Sequence, residues 1–175
     1  MPHEFKEIAD DLRSDGALRD FYIHAANRAD WNAVLRRVRS NREADCFTVD
    51  GESQELPQSF EAIESLRQMA NPCLSILVDG AFVNCHFFLD EEIEFDFRPE
   101  DFRTPGRWSA LCGFFQELVD LVGKPGVITH ENAEDDVIDR FEPRTKIEQG
   151  TAPKVGSDPL PGKSGVAETP PAGMK

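Results

Sequence analysis

Alternating apolar and polar positions predict a β-hairpin in the middle of the chain. Residues 74–78 and 81–89 form two extended runs on either side of Asp79-Gly80, a dipeptide typical of a type I′ turn. Antiparallel pairing across this turn places Ser75 opposite Asn84 on one face and an entirely apolar set on the other. The apolar face is therefore predicted to pack on the core.

A third strand is predicted at residues 92–97, where carboxylates and apolar residues alternate strictly. Its apolar residues must face the core, so its carboxylates form a row on the opposite face. Keeping both apolar sets on one face requires an even register sum, and a loop at residues 90–92 places Asp96 opposite His86 and Asn84 opposite Arg98.

Helical periodicity recurs at three places along the chain. Trp31 starts an i, i+3, i+4, i+7 pattern with Asn27 or Asp30 as the N-cap, Ser59 precedes a second pattern that runs to about residue 70, and Thr104 precedes the longest. The longest ends at Gly123, a residue typical of helix C-termini. Short strands are predicted at 21–23, 46–49 and 127–129, and a helix at 134–142.

This order of elements predicts a single α+β domain over residues 1–149, built on a central antiparallel or mixed sheet with helices packed on one face. Residues 150–175 differ in composition, since they contain five prolines, five glycines and no aromatic residue. Such a segment buries too little apolar surface to offset its ordering entropy, so we expect a disordered tail.

The net charge of the chain limits which classes of partner it can bind. The 175 residues carry 33 acidic and 19 basic side chains, a net charge of −14, which disfavours a nucleic-acid partner and favours a basic protein partner. No apolar run reaches the roughly 18 residues that a membrane helix needs, and the N-terminus has no signal-peptide pattern. We therefore expect a cytoplasmic protein without membrane association.

Metal and cofactor motifs are absent from the sequence. None of the four cysteines forms a C-x-x-C pair, and each lies in an apolar run, which predicts small buried side chains in a reducing compartment. The acidic group after His130 fails the H-E-x-x-H pattern because residue 134 is glutamate. We expect no cofactor and no metal.

The densest charge in the chain is a strip of seven carboxylates within residues 90–101, interrupted by a single basic residue, Arg98. Such a strip either attracts a cationic partner or is a solvated edge that keeps the protein soluble. The hypothesis of a partner site assigns binding to carboxylates and to two aromatic anchors, namely Glu92, Glu94, Asp96, Glu100, Asp101, Phe88 and Phe102.

A second candidate is a polar group on the sheet face, formed by Ser75, Asn84 and His86 near Asp96. A histidine opposite an aspartate fits general-base catalysis, and Cys73 would complete a thiol triad; the alternative is an ordinary cross-strand polar pair. A third candidate is the basic helix surface of Arg36, Arg37, Arg39 and Arg42, with Arg28 nearby, which fits either an acidic partner or internal ion pairs.

In size, acidity and α+β pattern, and in the runs at 86–88 and 93–96, the chain resembles small bacterial immunity proteins, which neutralise toxins delivered by neighbouring cells. The resemblance implies that the acidic strip occludes a cognate, basic toxin domain. Two other classes stay open. One is an enzyme or ligand-binding domain built around His86 and Asp96, and the other is a regulatory or scaffold module that uses the tail as a tether.

Overall fold

The computed structural model describes residues 3–40 and 46–144, and within them eight strands form one antiparallel sheet. The α+β class is therefore confirmed. The predicted tail at 150–175, the domain boundary at 149 and Arg42 lie outside the described residues. In chain order, the elements are α1 (Phe5–Ile8), β1 (Arg19–His24), α2 (Arg28–Ser40), β2 (Cys46–Val49), β3 (Glu52–Gln54), α3 (Phe60–Arg67), β4 (Pro72–Val78), β5 (Ala81–Cys85), β6 (Glu92–Phe97), a 3₁₀ turn (Pro99–Phe102), α4 (Pro105–Val122), β7 (Gly126–His130) and β8 (Ala133–Phe141).

The strands lie in the order β3-β2-β4-β5-β6-β1-β7-β8. The first strand is thus inserted between β6 and β7 and pairs with both. Alternate residues of β1 and β6 project from the two faces. One face, which we call the helix face, carries fully buried residues such as Phe21 and Phe95, and the other, the open face, carries Asp20 and Glu94.

Aromatic side chains fasten α4 to the helix face. Phe115 stacks on Phe21, with ring centroids 3.9 Å apart and an interplanar angle of 5°, and also lies against Phe95, Phe97 and Phe141. All five rings are fully buried. The core is therefore centred where the predicted periodic helix crosses the middle strands.

Local capping signals explain where the helices begin. The Asn27 side chain accepts the Ala29 N–H at 2.8 Å, and Asp30 accepts the Asn27 N–H in return at 2.9 Å, so Asn27 is the N-cap. Thr104 accepts the Arg107 N–H at 3.3 Å, as predicted. Ser59 occupies the N-cap position of α3, as predicted, but its side chain makes no capping bond, and the Asn32 side chain accepts the Phe60 N–H instead. The predicted extension to residue 70 is wrong, since α3 ends at Arg67.

The hairpin prediction is confirmed: β4 pairs with β5 with Ser75 opposite Asn84, and Asp79 and Gly80 both have positive φ. The predicted register of β6 is wrong by two residues, since Asn84 lies opposite Asp96. The reason is that β5 ends at Cys85 and the chain turns at Phe87 (φ 56°), whose buried ring packs near Trp31. This burial takes residues 86–91 out of the ladder while preserving which side chains share a face.

The predicted helix at 134–142 is also wrong. These residues form β8, which pairs with β7 through two register shifts. Ile138 and Phe141 are buried. Pairing with β7 satisfies the backbone hydrogen-bonding groups of this segment and buries its apolar side chains, although its many acidic residues hide the strand pattern in the sequence.

The cysteine prediction holds for two positions. Cys85 and Cys112 are buried, and burial raises the pKa of both thiols. Cys46 is exposed and Cys73 is half-buried, both on the open face, so the expectation of four buried thiols is wrong. None of the described helices is long and apolar enough to cross a membrane.

Candidate partner-binding face

The open face brings the predicted polar residues into one hydrogen-bonded chain. The Ser75 hydroxyl donates to Asn84 Oδ1 at 2.8 Å, and Asn84 Nδ2 donates to Asp96 Oδ1 at 2.9 Å. The other carboxylate oxygen, Asp96 Oδ2, lies 2.8 Å from His86 Nε2. The two-residue register shift thus puts Asp96 opposite Asn84, and His86 reaches it from beyond the end of β5.

This contact sets the charge of the imidazole. The hydrogen bond to Asp96, and then one to the Cys73 side chain, raise the pKa of His86 to about 10. His86 is therefore a protonated partner of Asp96 at neutral pH rather than a free base. A general base must accept a proton near the working pH, so this pair does not by itself support the predicted general-base role.

A surface cavity of about 630 Å³ lies beside the hydrogen-bonded chain. It is lined by polar members of that chain, by the exposed Arg98 and by Phe82, which is 51% exposed. Phe82 lies opposite Leu77, which is 41% exposed, so two apolar side chains extend the polar surface toward the hairpin turn. Our sequence predictions did not assign this pair to a site, although hairpin register placed both residues on the open face.

The carboxylate row predicted on β6 is present and is enlarged by β1. Asp20 lies opposite Asp96, and Tyr22 lies opposite Glu94. Asp20 is buried; it accepts hydrogen bonds from the Tyr22 hydroxyl at 3.0 Å and from the Asn132 N–H at 2.9 Å. Sequence reasoning missed Asp20, because only the non-local pairing of β1 with β6 brings it to the row.

Glu94 is the least compensated member of the row. Within the described residues it makes no hydrogen bond and no ion pair, whereas Glu92 lies 2.8 Å from His24 Nδ1 and Asp96 lies 2.8 Å from His86. Burial, followed by repulsion from Asp20 and Glu92, raises the pKa of Glu94 to about 7. A half-buried carboxylate at the centre of an acidic surface is thus held close to its protonation point.

The remaining predicted anchors divide between surface and core. Phe88 is 60% exposed and stacks on His86, with ring centroids 5.3 Å apart, so it is available to a partner. Phe102 is fully buried against Phe97, and its prediction as an exposed anchor is wrong, because the 3₁₀ turn directs the ring inward. Asp96 is also buried, and it serves the internal hydrogen-bonded chain.

Glu100 and Asp101 lie in the 3₁₀ turn, away from the row on β6. Glu100 is exposed, and Asp101 lines the cavity beside Arg98. These two carboxylates therefore border the open face rather than continue its row.

The basic surface of α2 is largely occupied by contacts within the chain. Arg37 pairs with Glu117, Arg39 donates to the carbonyls of residues 57 and 58, and Arg28 lies 2.9 Å from Glu64. Arg36 is exposed. These contacts fit the interpretation of internal ion pairing along a solvated helix surface.

No family model, curated protein or solved structure matches this chain. The chemistry of the open face is therefore the basis on which a function can be assigned.

Proposed function

We propose that the open face binds a basic protein domain and that the protein acts as its antidote in the cytoplasm, as the resemblance to immunity proteins implies. The observation that carries this proposal is Glu94, a half-buried carboxylate that forms no salt bridge among the described residues and whose pKa burial raises to about 7, despite the attraction of the nearby His86. A partner guanidinium or ammonium group would compensate this carboxylate.

Charge complementarity supports a cationic occupant. The chain has a net charge of −14, and Glu94 is flanked by Glu92 and Asp96 on its own strand and by Asp20 on the neighbouring strand β1. A surface of one sign attracts and orients a partner of the other sign, and a charge-assisted hydrogen bond to Glu94 would be shielded from water in the complex. The partner is therefore a domain that presents Arg or Lys toward β6.

Exposed apolar side chains supply the second ingredient of an interface. Phe82, Phe88 and Leu77 are 51%, 60% and 41% exposed, respectively. Binding energy in interfaces concentrates in aromatic anchors that become desolvated beside charged pairs. The combination of these apolar side chains with an acidic row fits a protein partner better than a small cation.

The test is a partner capture followed by an affinity measurement with the full chain. We expect a stoichiometric basic partner whose own activity is inhibited and whose Kd rises at least tenfold with Glu94→Lys, because reversal places two like charges together. Calorimetry at low and high salt should show that raised salt weakens the wild-type complex.

The matched control is Glu55→Lys, which makes the same charge change at an exposed residue after β3. It should leave the Kd within about twofold of wild type. Equal loss of affinity in both variants would show that the overall net charge, and not the position of Glu94, determines binding. An unchanged Kd in Glu94→Lys would exclude the row on β6 as the interface.

A second candidate function is thiol chemistry at Cys73, favoured by its place on the open face beside His86, which lies 2.8 Å from Asp96. A thiol beside a histidine that is itself held by a carboxylate is the arrangement found in cysteine nucleophiles. In this candidate function, the half-buried Cys73 thiol is the nucleophile of the open face.

Alkylation by iodoacetamide, mapped by mass spectrometry, tests the second candidate. Cys73 should react at least tenfold more slowly in His86→Gln than in wild type at pH 7, since the substitution removes the imidazolium. The exposed Cys46 on the neighbouring strand is the internal control and should react at the same rate in both proteins. Equal Cys73 rates in the two proteins would exclude activation by His86.

A further inference from the structure

A histidine and two glutamates converge at one end of the open face. His24 Nδ1 lies 2.8 Å from Glu92 Oε2, and one ligand atom each from His24, Glu92 and Glu134 lies within 4.8 Å of the others. Among the described residues, this is the group of His, Cys, Asp and Glu side chains close enough together to hold a metal ion.

Three strands bring these residues together. His24 ends β1 directly opposite Glu92, the first residue of β6. Glu134 comes from β8, where the register against β7 shifts twice and Ala133 pairs with His130 while Val137 pairs with Thr129. Residues 134–136 have no partner on β7, and the Glu134 carboxylate lies within 4.8 Å of the ligand atoms of His24 and Glu92.

The His24 ring is oriented by its neighbours. It stacks on Tyr22, with ring centroids 5.5 Å apart and an interplanar angle of 13°, and the Tyr22 hydroxyl donates to Asp20 at 3.0 Å. Tyr22 is buried, so the surface beneath the imidazole is fixed. Orientation of a ligating histidine by contacts beyond the metal is typical of protein metal sites.

We propose that His24, Glu92 and Glu134 form a binding site for a divalent transition-metal ion, of which Zn²⁺ and Mn²⁺ are the fitting examples. One imidazole nitrogen with two carboxylate oxygens suits ions that accept mixed nitrogen and oxygen ligands better than Ca²⁺, which takes six to eight oxygens. A tetrahedral ion with bonds of about 2.0–2.1 Å holds its ligand atoms ~3.3 Å apart, so small side-chain movements would close the site.

Charge around the site also favours a cation. Glu92 and Glu94 lie on the same strand face, so a second carboxylate adjoins the proposed ligands. The side chain of His24 is 49% exposed and Glu134 is exposed, so an ion could enter from solvent and keep positions for water or a further ligand. This site adjoins the proposed protein contact at Glu94 and shares Glu92 with the acidic row.

The test uses Mn²⁺ alone with the full chain after chelator treatment. We expect one ion per chain, and paramagnetic broadening in NMR spectra confined to amides near His24, Glu92 and Glu134. Mn²⁺ is chosen because it prefers oxygen and nitrogen ligands to the four free thiols. Broadening spread over other acidic surfaces, or absent at millimolar Mn²⁺, would overturn the proposal.

Two variants remove ligands while keeping the surroundings. His24→Phe retains the ring stack on Tyr22 but has no nitrogen, and Glu134→Ala removes one carboxylate; each should weaken Mn²⁺ binding at least tenfold in calorimetry. Asp135→Ala, at the exposed neighbour of Glu134, is the matched control and should bind as wild type does.

Equally weakened Mn²⁺ binding in Asp135→Ala would show that the ion is attracted to the acidic residues 134–136 in general, and this result would overturn the proposed site. Unfolding curves of all three variants verify that they remain folded. Because no partner protein is present, failure of this site leaves the proposed function untouched, and failure of the proposed function leaves the metal site untouched.

Discussion

Phe115→Ala is expected to lower the free energy of unfolding by about 3–5 kcal/mol, the range typical of removing a fully buried phenylalanine ring. Phe115 is 0% exposed and contacts rings from β1, β6, β8 and its own helix. Its removal leaves a cavity between α4 and three strands, and the stacked Phe21 ring loses its partner. Urea unfolding monitored by circular dichroism measures the change.

Leu121→Ala is the control for this substitution, since it lies on the same helix with 43% of the residue exposed. It should change the free energy of unfolding by less than about 1 kcal/mol, because the deleted atoms are already partly in water. Similar losses in the two variants would show that the aromatic contacts of Phe115 contribute no more to stability than a partly exposed side chain of the same helix.

The sequence predicted the parts of the fold that depend on neighbouring residues. Alternation in β6 assigned Phe95 to the core and Glu94 to the opposite face, and the Asp79-Gly80 turn fixed the register of β4 against β5. Both follow from the two-residue period of a strand and from turn geometry. Such signals need no knowledge of distant segments.

Non-local pairing accounts for what the sequence could not show. The insertion of β1 between β6 and β7 brings Asp20 beside Asp96, but nothing in residues 19–24 names their partners. Likewise, Phe87 was assigned to a strand by its composition, and it leaves the strand because a pocket beside Trp31, far away in sequence, buries its ring. Tertiary packing overrides local preference at both places.

The candidate site was likewise predicted correctly where it depends on local signals and incorrectly where it depends on tertiary packing. Ser75, Asn84, His86 and Asp96 do meet, since the correct parity of the register placed them on one face even though the pairing was shifted. Phe102 does not join them, because an aromatic residue in a short turn gives no signal of which way it points. The sequence thus predicts which face of the sheet a strand residue occupies more reliably than it predicts the residue's cross-strand partner or its exposure to solvent.

Glu94→Gln is expected to raise the free energy of unfolding above pH 7 by about 1–3 kcal/mol, since one pKa unit corresponds to ~1.4 kcal/mol and solvent screening reduces the full effect. Burial raises the pKa of Glu94 from 4.5 to about 7, so the folded state binds more protons than the unfolded state between these values. The stability of wild type therefore falls as pH rises through this window, and the ionised carboxylate destabilises the fold above it.

The measurement is urea unfolding of both proteins from pH 4.5 to 8.5, with exposed Glu55→Gln as the control that removes one solvated charge. The difference between Glu94→Gln and wild type should grow across the window and level off above pH 7, while the control stays within about 0.5 kcal/mol of wild type. A constant difference across pH would show that Glu94 acts through packing. Greater stability combined with weaker partner binding in the same variant would mean that Glu94 is retained for recognition at the expense of the fold, which a carboxylate on a merely solvated edge would not show.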